Sequence, residues 1–174
     1  MKVYDCFMFY DEDLVADLRF NILNEYVTKF VVVESKFTHS GEKRNLLFDI
    51  NKYSKFKNKI NYIILEKEPD NLEVIHDNDT DDKKNSKYIM NALKRENFQR
   101  NGIVKGLKEV NPEDLILISD VDEIPNLSKL ELEKINNEII LFKQNFYYYK
   151  FNLKLEDMPW LGTKACKYRA LKSP

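Results

Sequence analysis

Three carboxylates follow an apolar run in the middle of the chain. In the segment LISDVDEIP, the run at residues 115–118 and Ser119 are followed by Asp120, Asp122 and Glu123. In open parallel sheets, ligands bind outside the carboxyl ends of the strands. If the strand continues, Asp120 and Asp122 point the same way, because side-chain direction alternates along a strand. Two such carboxylates repel each other, and Mg²⁺ or Mn²⁺, sharing its shell with substrate phosphates, would remove that repulsion.

The same segment has a plainer interpretation as a turn. Serine and aspartate are common caps of helices, and Pro125 suits the start of a following helix. An Asp-x-Asp pattern also occurs by chance in many proteins. Its position directly after a buried strand of an α/β chain favours the metal site.

A second group of residues carries positive charge. The segment RENFQRNG contains Arg95, Arg100 and Asn101, and two of the chain's five arginines fall within it. Arginine makes bidentate contacts with phosphate and stacks on bases, which lysine does less well. The alternative is a solvated ion pair between Glu96 and Arg100, which are four residues apart on a helix. We favour the phosphate-binding interpretation.

A further carboxylate, Glu34, ends an apolar strand pattern, where a charge is costly unless it has a partner or a function. His39 follows in a polar loop, with no second histidine or cysteine nearby, and we interpret it as an ordinary loop residue.

Aromatic side chains cluster in the last third of the chain. Residues 147–149 are three consecutive tyrosines, and Trp160 follows in the segment DMPWLGT, which we interpret as a loop. Flat rings with polar tips suit the binding of sugar rings. We predict Tyr148 and Trp160 as acceptor-binding residues; the alternative is that alternate aromatics of this strand belong to the core.

The composition excludes several classes of protein. The 174 residues suit one domain, 43% are hydrophobic, and the formal net charge of −1 argues against nucleic-acid binding by the whole surface. Cys6 and Cys166 are far apart, which argues against a zinc site or a disulfide framework. We find no apolar stretch of about 20 residues and no signal-peptide pattern, and we expect a cytoplasmic protein, soluble or peripheral to a membrane. Oligomeric state stays open.

Strand and helix patterns alternate along the chain. Strands are predicted at 2–10, 29–35, 60–69, 113–120 and 138–155, and helices at 11–26, 86–110 and 127–135, with a polar loop at 70–86. The first helix has an apolar stripe of Leu14, Leu18, Ile22 and Tyr26, and the second is expected to bend near Gly102 and Gly106. This order predicts an α/β fold, with a mainly parallel sheet flanked by helices, in one domain spanning 1–174. Because no glycine-rich phosphate loop is present, a metal would have to hold a diphosphate.

Four segments together resemble, in order and spacing, the β-1,4-mannosyl-glycoprotein β-1,4-N-acetylglucosaminyltransferase family, to which the bisecting-GlcNAc transferase belongs. They are YDCFMFYDEDLVADLRFNILNEYVTKFVVVESKFTHSG, RENFQRNGIVKGL, DLILISDVDEIP, and FYYYKFNL with WLGTKA. The resemblance implies a GT-A-type, Rossmann-like fold and a UDP-sugar donor, UDP-GlcNAc in the animal enzymes. It also implies a glycan or saccharide acceptor, a divalent cation (Mn²⁺ or Mg²⁺) and inversion at the anomeric carbon.

The resemblance also implies roles for individual residues. Asp122 is expected to bind the metal directly, and Asp120 to contact the ribose or reach the metal through water. Glu123, beside the metal and the sugar, is the candidate catalytic residue. The residues expected to bind the donor nucleotide are Glu34, Arg95, Arg100, Asn101 and Asp120.

Family members continue through a segment rich in Gly, Trp and His, so the resemblance implies that this chain is short at its C-terminus. One alternative function is therefore a nucleotide-sugar-binding remnant or subunit without catalysis. Another is a metal-dependent phosphotransferase or nuclease that uses the same acids, against which the lack of a second acidic or histidine cluster counts.

Overall fold

The computed structural model describes residues 1–136, 138–150 and 152–174. Four strands and two α-helices occupy the first two thirds of the chain, two more strands follow in the last third, and short 3₁₀ turns connect several of these elements. The strands are β1 (Val3–Met8), β2 (Lys29–Ser35), β3 (Ile60–Leu65), β4 (Leu115–Ser119), β5 (Ile140–Gln144) and β6 (Trp160–Lys167). The helices are α1 (Asp13–Leu23) and α2 (Asp81–Asn101).

The six strands form one sheet in the order β3-β2-β1-β4-β6-β5. The pairs β3–β2, β2–β1 and β1–β4 are parallel, whereas β4–β6 and β6–β5 are antiparallel. The α/β class is confirmed, but the expectation of a mainly parallel sheet is wrong, because β6 runs back against β4 and brings β5 with it. The parallel half needs crossover connections, and α1 and α2 lie in two of them.

Both faces of the parallel half are covered, which explains the continuous apolar runs of its strands. Along β2, Phe30 and Val32 belong to one buried cluster, and Val31 and Val33 belong to the cluster on the other face. This alternation is the period of two that a strand imposes on its side chains.

Helix α1 buries a different face from the one predicted. Leu14 is 81% exposed, and Leu18 and Ile22 are also exposed. The buried residues are Ala16, Arg19, Phe20 and Leu23. Phe20 decides the orientation, because its ring packs against five other buried aromatic rings, Phe7, Phe30, Phe48, Tyr53 and Phe56. Burying one such ring contributes about 1.5–3 kcal/mol.

Helix α2 begins five residues earlier than predicted, inside the expected loop. Thr80 caps it, its hydroxyl accepting a hydrogen bond from the Lys83 amide at 3.4 Å. The helix tightens into a 3₁₀ segment at Gly102–Gly106, which confirms the irregularity expected near these glycines. A Cβ at Gly106 would lie 2.4 Å from a methyl group of Val31, so glycine lets the segment lie directly on β2.

The region after β4 differs most from the prediction. The expected helix at 127–135 is replaced by two short 3₁₀ turns, Leu127–Lys129 and Leu132–Lys134. Within the predicted strand region 138–155, β5 is followed by an isolated bridge between Tyr147 and Lys154, and Phe151 lies outside the described residues. None of the helices in the described residues has the length and apolar character that crossing a bilayer requires.

Candidate active site

The acidic segment at residues 120–123 forms a turn directly after β4, and we call it the acidic turn. The strand ends at Ser119, and the Glu123 amide donates to the Asp120 carbonyl oxygen at 3.1 Å. Because the strand does not continue, the same-side arrangement expected for Asp120 and Asp122 does not arise from strand alternation. The turn nevertheless exposes both carboxylates at the protein surface, where a ligand can reach them.

Arg19 of α1 holds this turn from the protein interior. Its Nη1 donates hydrogen bonds to the carbonyl oxygens of Asp120, Val121 and Glu123 at 2.9, 3.0 and 3.2 Å. The side chain has no solvent exposure. Three carbonyls that a surface turn would leave to water are thus fixed by one guanidinium, so the exposed carboxylates stand on a rigid backbone.

A buried carboxylate in turn fixes Arg19. Its Nε and Nη2 donate to the Asp5 carboxylate at 2.7 and 2.6 Å, and Nη2 also donates to the Ser119 hydroxyl at 2.6 Å. Such paired contacts fix the plane of the guanidinium as well as its position. Sequence analysis did not identify this pair. The available signal was Asp5 itself, the one charged residue in the β1 run, which needs a partner when buried.

Glu123 links the acidic turn to β6. Its Oε1 accepts a hydrogen bond from the Trp160 indole Nε1 at 2.7 Å, and its Oε2 accepts one from the Asp120 amide at 3.1 Å. The Thr163 hydroxyl donates to the Glu123 carbonyl oxygen at 2.6 Å. Trp160 is the first residue of β6, so its assignment to a loop is wrong; strand pairing is what holds its indole against the carboxylate.

A cavity of about 670 Å³, the first cavity, opens between the loops that follow β1 and β2 and the acidic turn that follows β4. Strand β2 pairs with one edge of β1, and β4 pairs with the opposite edge, so the chain leaves β1 in one direction and later returns on its other side. Open α/β sheets bind ligands where the strand order diverges in this way. The volume is typical of a site for a small molecule or cofactor.

Gln99 of α2 lines the first cavity. The sequence did not predict this residue as part of the site. Its buried Nε2 donates to the carbonyl oxygens of Phe9 at 3.4 Å and Val33 at 3.0 Å. A buried amide in the polar segment RENFQRNG gives no sequence signal that separates it from a solvated one.

A second cavity, of about 940 Å³, lies on the other side of the acidic turn. Its aromatic wall contains Phe146, Tyr147, Tyr149 and Trp160, whereas Tyr148 does not line it. The Tyr148 ring instead packs against the rings of Phe146 and Tyr149, with centroids 5.9 and 4.2 Å apart. Tyr149 has a φ of 60°, a conformation that bulky residues rarely adopt. The second cavity is thus lined both by the carboxylates of the acidic turn and by aromatic rings.

Of the predicted basic residues, Arg100 reaches the acidic turn. Its Nη2 lies 3.1 Å from Asp120 Oδ1 and 3.3 Å from Glu96 Oε1. The ion pair with Glu96, which was the alternative interpretation, is thus present, together with a contact to the predicted metal site. A third cavity, of about 700 Å³, is lined by Arg100 and shares Asp120 with the other two.

Arg95 and Asn101 lie away from the acidic turn. Arg95 pairs with Glu68 at 2.6 Å and donates to the His39 carbonyl oxygen at 3.2 Å, so it braces the loop that lines the first cavity. Asn101 is exposed at the end of α2 and lines none of the three cavities. Their predicted contacts with a nucleotide stay predictions.

Glu34 is fully buried at the end of β2 and also lines none of the three cavities. Its carboxylate accepts hydrogen bonds from the Leu47 and Phe48 amides at 2.8 and 3.1 Å and from the Tyr62 hydroxyl at 2.5 Å. It also lies 3.0 Å from an Arg44 nitrogen. Burial, and then the bond to Glu34, raise the pKa of Tyr62 well above its usual value, so the hydroxyl stays a donor.

Asp120 and Asp122 are the carboxylates predicted to bind a metal ion, and both are exposed. Within residues 1–136, 138–150 and 152–174, no three histidine, cysteine, aspartate or glutamate side chains gather as a metal-binding group. Mg²⁺ commonly uses only one or two protein carboxylates and completes its shell with water and substrate phosphates. Asp120 and Asp122 line the first cavity, of about 670 Å³. Two exposed carboxylates in this position suit an ion that binds together with a phosphorylated ligand.

Comparison with known proteins gives matches at the level of sequence. The profile of glycosyltransferase family 17 matches residues 1–172. Two relatives, from Homo sapiens and Rattus norvegicus, are both called beta-1,4-mannosyl-glycoprotein 4-beta-N-acetylglucosaminyltransferase, and each is 29% identical to this chain over 115 residues. The matched part is 64% of this chain, and it covers 19% of each relative. No solved structure matches the chain.

Proposed function

The chain belongs to glycosyltransferase family 17, and on that premise we propose that it is a metal-dependent, inverting glycosyltransferase. It transfers a sugar, which we take to be N-acetylglucosamine, from a UDP-sugar to a hydroxyl group of a glycan or other saccharide. The proposal includes a single GT-A-type, Rossmann-like domain. Its main support is that two cavities meet at one rigid acidic turn, since a transferase needs separate donor and acceptor sites that share the reacting centre.

The first cavity is the donor site in this proposal. It lies at the carboxyl ends of β1, β2 and β4, where nucleotides bind in open α/β sheets. Asp120 and Asp122, which line this cavity, would hold Mn²⁺ or Mg²⁺. The bound ion would offset negative charge on the diphosphate leaving group. Arg100, already 3.1 Å from Asp120, adds a fixed positive charge on the neighbouring side.

The second cavity is the acceptor site. Its rings, Tyr147, Tyr149 and Trp160, suit the apolar faces of a sugar, and Glu123 lies at its border with the acidic turn. Glu123 would take the proton from the acceptor hydroxyl. The hydroxyl oxygen then bonds to the anomeric carbon as the bond from that carbon to UDP breaks, and UDP leaves with the electron pair. A single displacement of this kind inverts the anomeric centre.

The decisive experiment measures UDP binding by calorimetry, with and without Mn²⁺. Asp122→Ala is expected to abolish the Mn²⁺-dependent part of binding while the thermal melting curve stays close to that of the wild type. The matched control is Asp157→Ala, which removes another exposed carboxylate that lines none of the three cavities. Unchanged UDP binding in Asp122→Ala would refute the metal assignment.

A UDP-release assay with a panel of UDP-sugars and saccharide acceptors tests transfer itself. Release that depends on both donor and acceptor supports the proposal. Donor binding without release on any acceptor would favour a binding module instead, and cleavage of phosphate esters without sugar transfer would favour a phosphotransferase or nuclease.

A further inference from the structure

Tyr10 follows β1 and forms part of the wall of the first cavity. Its ring has a guanidinium behind it: the Arg44 Cζ lies 4.0 Å from the ring centroid. The residue is nevertheless 46% exposed, so the opposite side of the ring is open. Among the described residues, none forms a hydrogen bond with the Tyr10 hydroxyl. One face of the Tyr10 ring therefore packs against Arg44, and the other face is open to a ligand.

Arg44 is itself held firmly. It donates to the Tyr10 carbonyl oxygen and, at 3.3 Å, to the Ser35 carbonyl oxygen. Its guanidinium lies 3.0 Å from the buried Glu34 carboxylate, and the arginine side chain is only 9% exposed. Glu34 is fixed in turn by two backbone amides and a tyrosine hydroxyl. A chain of contacts thus runs from the core through Arg44 to the ring of Tyr10.

We propose that Tyr10 is the platform on which the base of the donor nucleotide stacks, with Arg44 and Glu34 as its positioning residues. This inference rests on the proposed function and deepens it. Tyr10 and Asp120 follow the neighbouring strands β1 and β4 and line the same cavity, so a nucleoside diphosphate held at the acidic turn extends toward the ring. A ring already immobilised by Arg44 loses little conformational entropy when a base stacks on it.

This arrangement also accounts for the buried Glu34. Sequence analysis predicted that this carboxylate meets the base or the ribose. In the present inference two residues, Arg44 and Tyr10, lie between Glu34 and the base, and Glu34 holds the guanidinium on which Tyr10 rests.

The test compares two ligands in the presence of Mn²⁺, UDP and inorganic pyrophosphate, which has no base. Tyr10→Ala is expected to weaken UDP binding about tenfold, within the range found for loss of a base–aromatic stack, and to leave pyrophosphate binding unchanged. Tyr10→Phe keeps the ring and is expected to bind UDP as the wild type does. Arg44→Lys keeps the charge but loses the flat group behind the ring, and should weaken UDP binding without affecting pyrophosphate.

A ligand-side comparison needs no variant. The 5,6-dihydro form of UDP has a puckered base that cannot stack, and we expect the wild-type chain to bind it about tenfold more weakly than UDP. Equal affinity for these two ligands, or equal UDP affinity in Tyr10→Ala, would overturn the platform. So would a parallel loss of UDP and pyrophosphate binding in Tyr10→Ala, because that result indicates a disrupted site. Failure of the wild type to bind either UDP or pyrophosphate would instead overturn the proposed function.

Discussion

The guanidinium of Arg19 and the carboxylate of Asp5 form an ion pair at 2.6 Å in which neither side chain is exposed to solvent. The same guanidinium donates to three carbonyl oxygens of the acidic turn. The Asp5 carboxylate of β1 therefore fixes Arg19 of α1, and Arg19 fixes the acidic turn after β4. The first strand and the first helix thus set the position of predicted metal-binding carboxylates that lie about 100 residues later in the sequence.

The first prediction separates the contribution of this pair to stability from its effect on the site. Arg19→Met leaves Asp5 buried without its partner, and we expect a loss of about 3–5 kcal/mol in the free energy of unfolding. The double variant Asp5→Leu with Arg19→Met should recover most of that loss, because apolar residues of similar volume often replace a buried pair without cost. Urea unfolding measures both changes.

Binding should not recover in the same way. Both variants remove the three hydrogen bonds that Arg19 donates to the turn carbonyls, so Mn²⁺-dependent UDP binding is expected to stay at least tenfold weaker than in the wild type, as measured by calorimetry. A double variant that regains wild-type stability together with wild-type UDP affinity would show that the pair supports the fold alone.

Four strands of the sheet have sequence patterns that predict them. The runs of β1, β2, β3 and β4 are apolar and bounded by polar segments, so their strands could be predicted. The buried face of α1 could not be predicted from the sequence. Leu14, Leu18 and Ile22 share a spacing of four residues, but Ala16, Phe20 and Leu23 have an equally helical spacing. Only tertiary packing around Phe20 selects this second face.

The site was predictable to the extent that its residues follow strand ends. Asp120 and Asp122 follow β4 and line the first cavity, and their binding of a metal stays a prediction. The contact between Glu123 and Trp160 was not predictable, because it depends on β6 pairing antiparallel with β4, and no local pattern in DMPWLGTKACK specifies that partner. The roles of Arg19 and Gln99 depend in the same way on packing between distant segments.

The second prediction concerns the hydrogen bond from Trp160 to Glu123. Trp160→Phe keeps an aromatic ring in the second cavity but removes the Nε1 donor that lies 2.7 Å from Glu123 Oε1. Glu123 keeps the hydrogen bond from the Asp120 amide but loses the one from the indole. We therefore expect turnover in the UDP-release assay to fall about tenfold, less than the roughly 10²–10⁴-fold that a positioned general base contributes. UDP binding should not change.

Glu123→Gln provides the comparison for this variant. It should lower turnover further than Trp160→Phe, and the double variant should be no slower than Glu123→Gln alone, because the indole acts through the carboxylate. Independent, multiplicative losses in the double variant would contradict this coupling.

The third prediction concerns stability at low pH. The Lys87 ammonium, the His76 amide and the Lys83 ammonium hold the pKa of the Asp79 carboxyl well below its usual range. The folded state therefore favours the ionised form, and the stabilisation is complete above the unfolded pKa of about 3.9 and is lost as pH falls below it. The difference in melting temperature between wild type and Asp79→Asn should be largest near neutrality and shrink below about pH 4.

Asp77→Asn is the matched control, since Asp77 is a neighbouring carboxylate that is exposed. It should alter the melting temperature little at any pH. A gap between wild type and Asp79→Asn that persists unchanged at the lowest pH would mean that the carboxylate does not stabilise the fold through its charge.

The fourth prediction concerns the loop that lines the first cavity. Gly41 has a φ of 96°, and a Cβ there would lie 2.5 Å from Arg95 Nη2. Gly41→Ala therefore strains the backbone by about 1–2 kcal/mol and displaces the guanidinium that donates to the His39 carbonyl oxygen. We expect a lower melting temperature and UDP binding weakened several-fold, with pyrophosphate binding unchanged because the acidic turn is untouched.

Arg95→Ala tests the same loop without backbone strain. It should weaken UDP binding with a smaller change in melting temperature, since it removes only the brace on the loop. Lys94→Ala is the control on the same helix, because it breaks an ion pair with Glu73 at 3.0 Å and lines none of the three cavities. If Lys94→Ala and Arg95→Ala weaken UDP binding equally, the loss comes from α2 as a whole, and the loop after β2 has no specific part in binding the nucleotide.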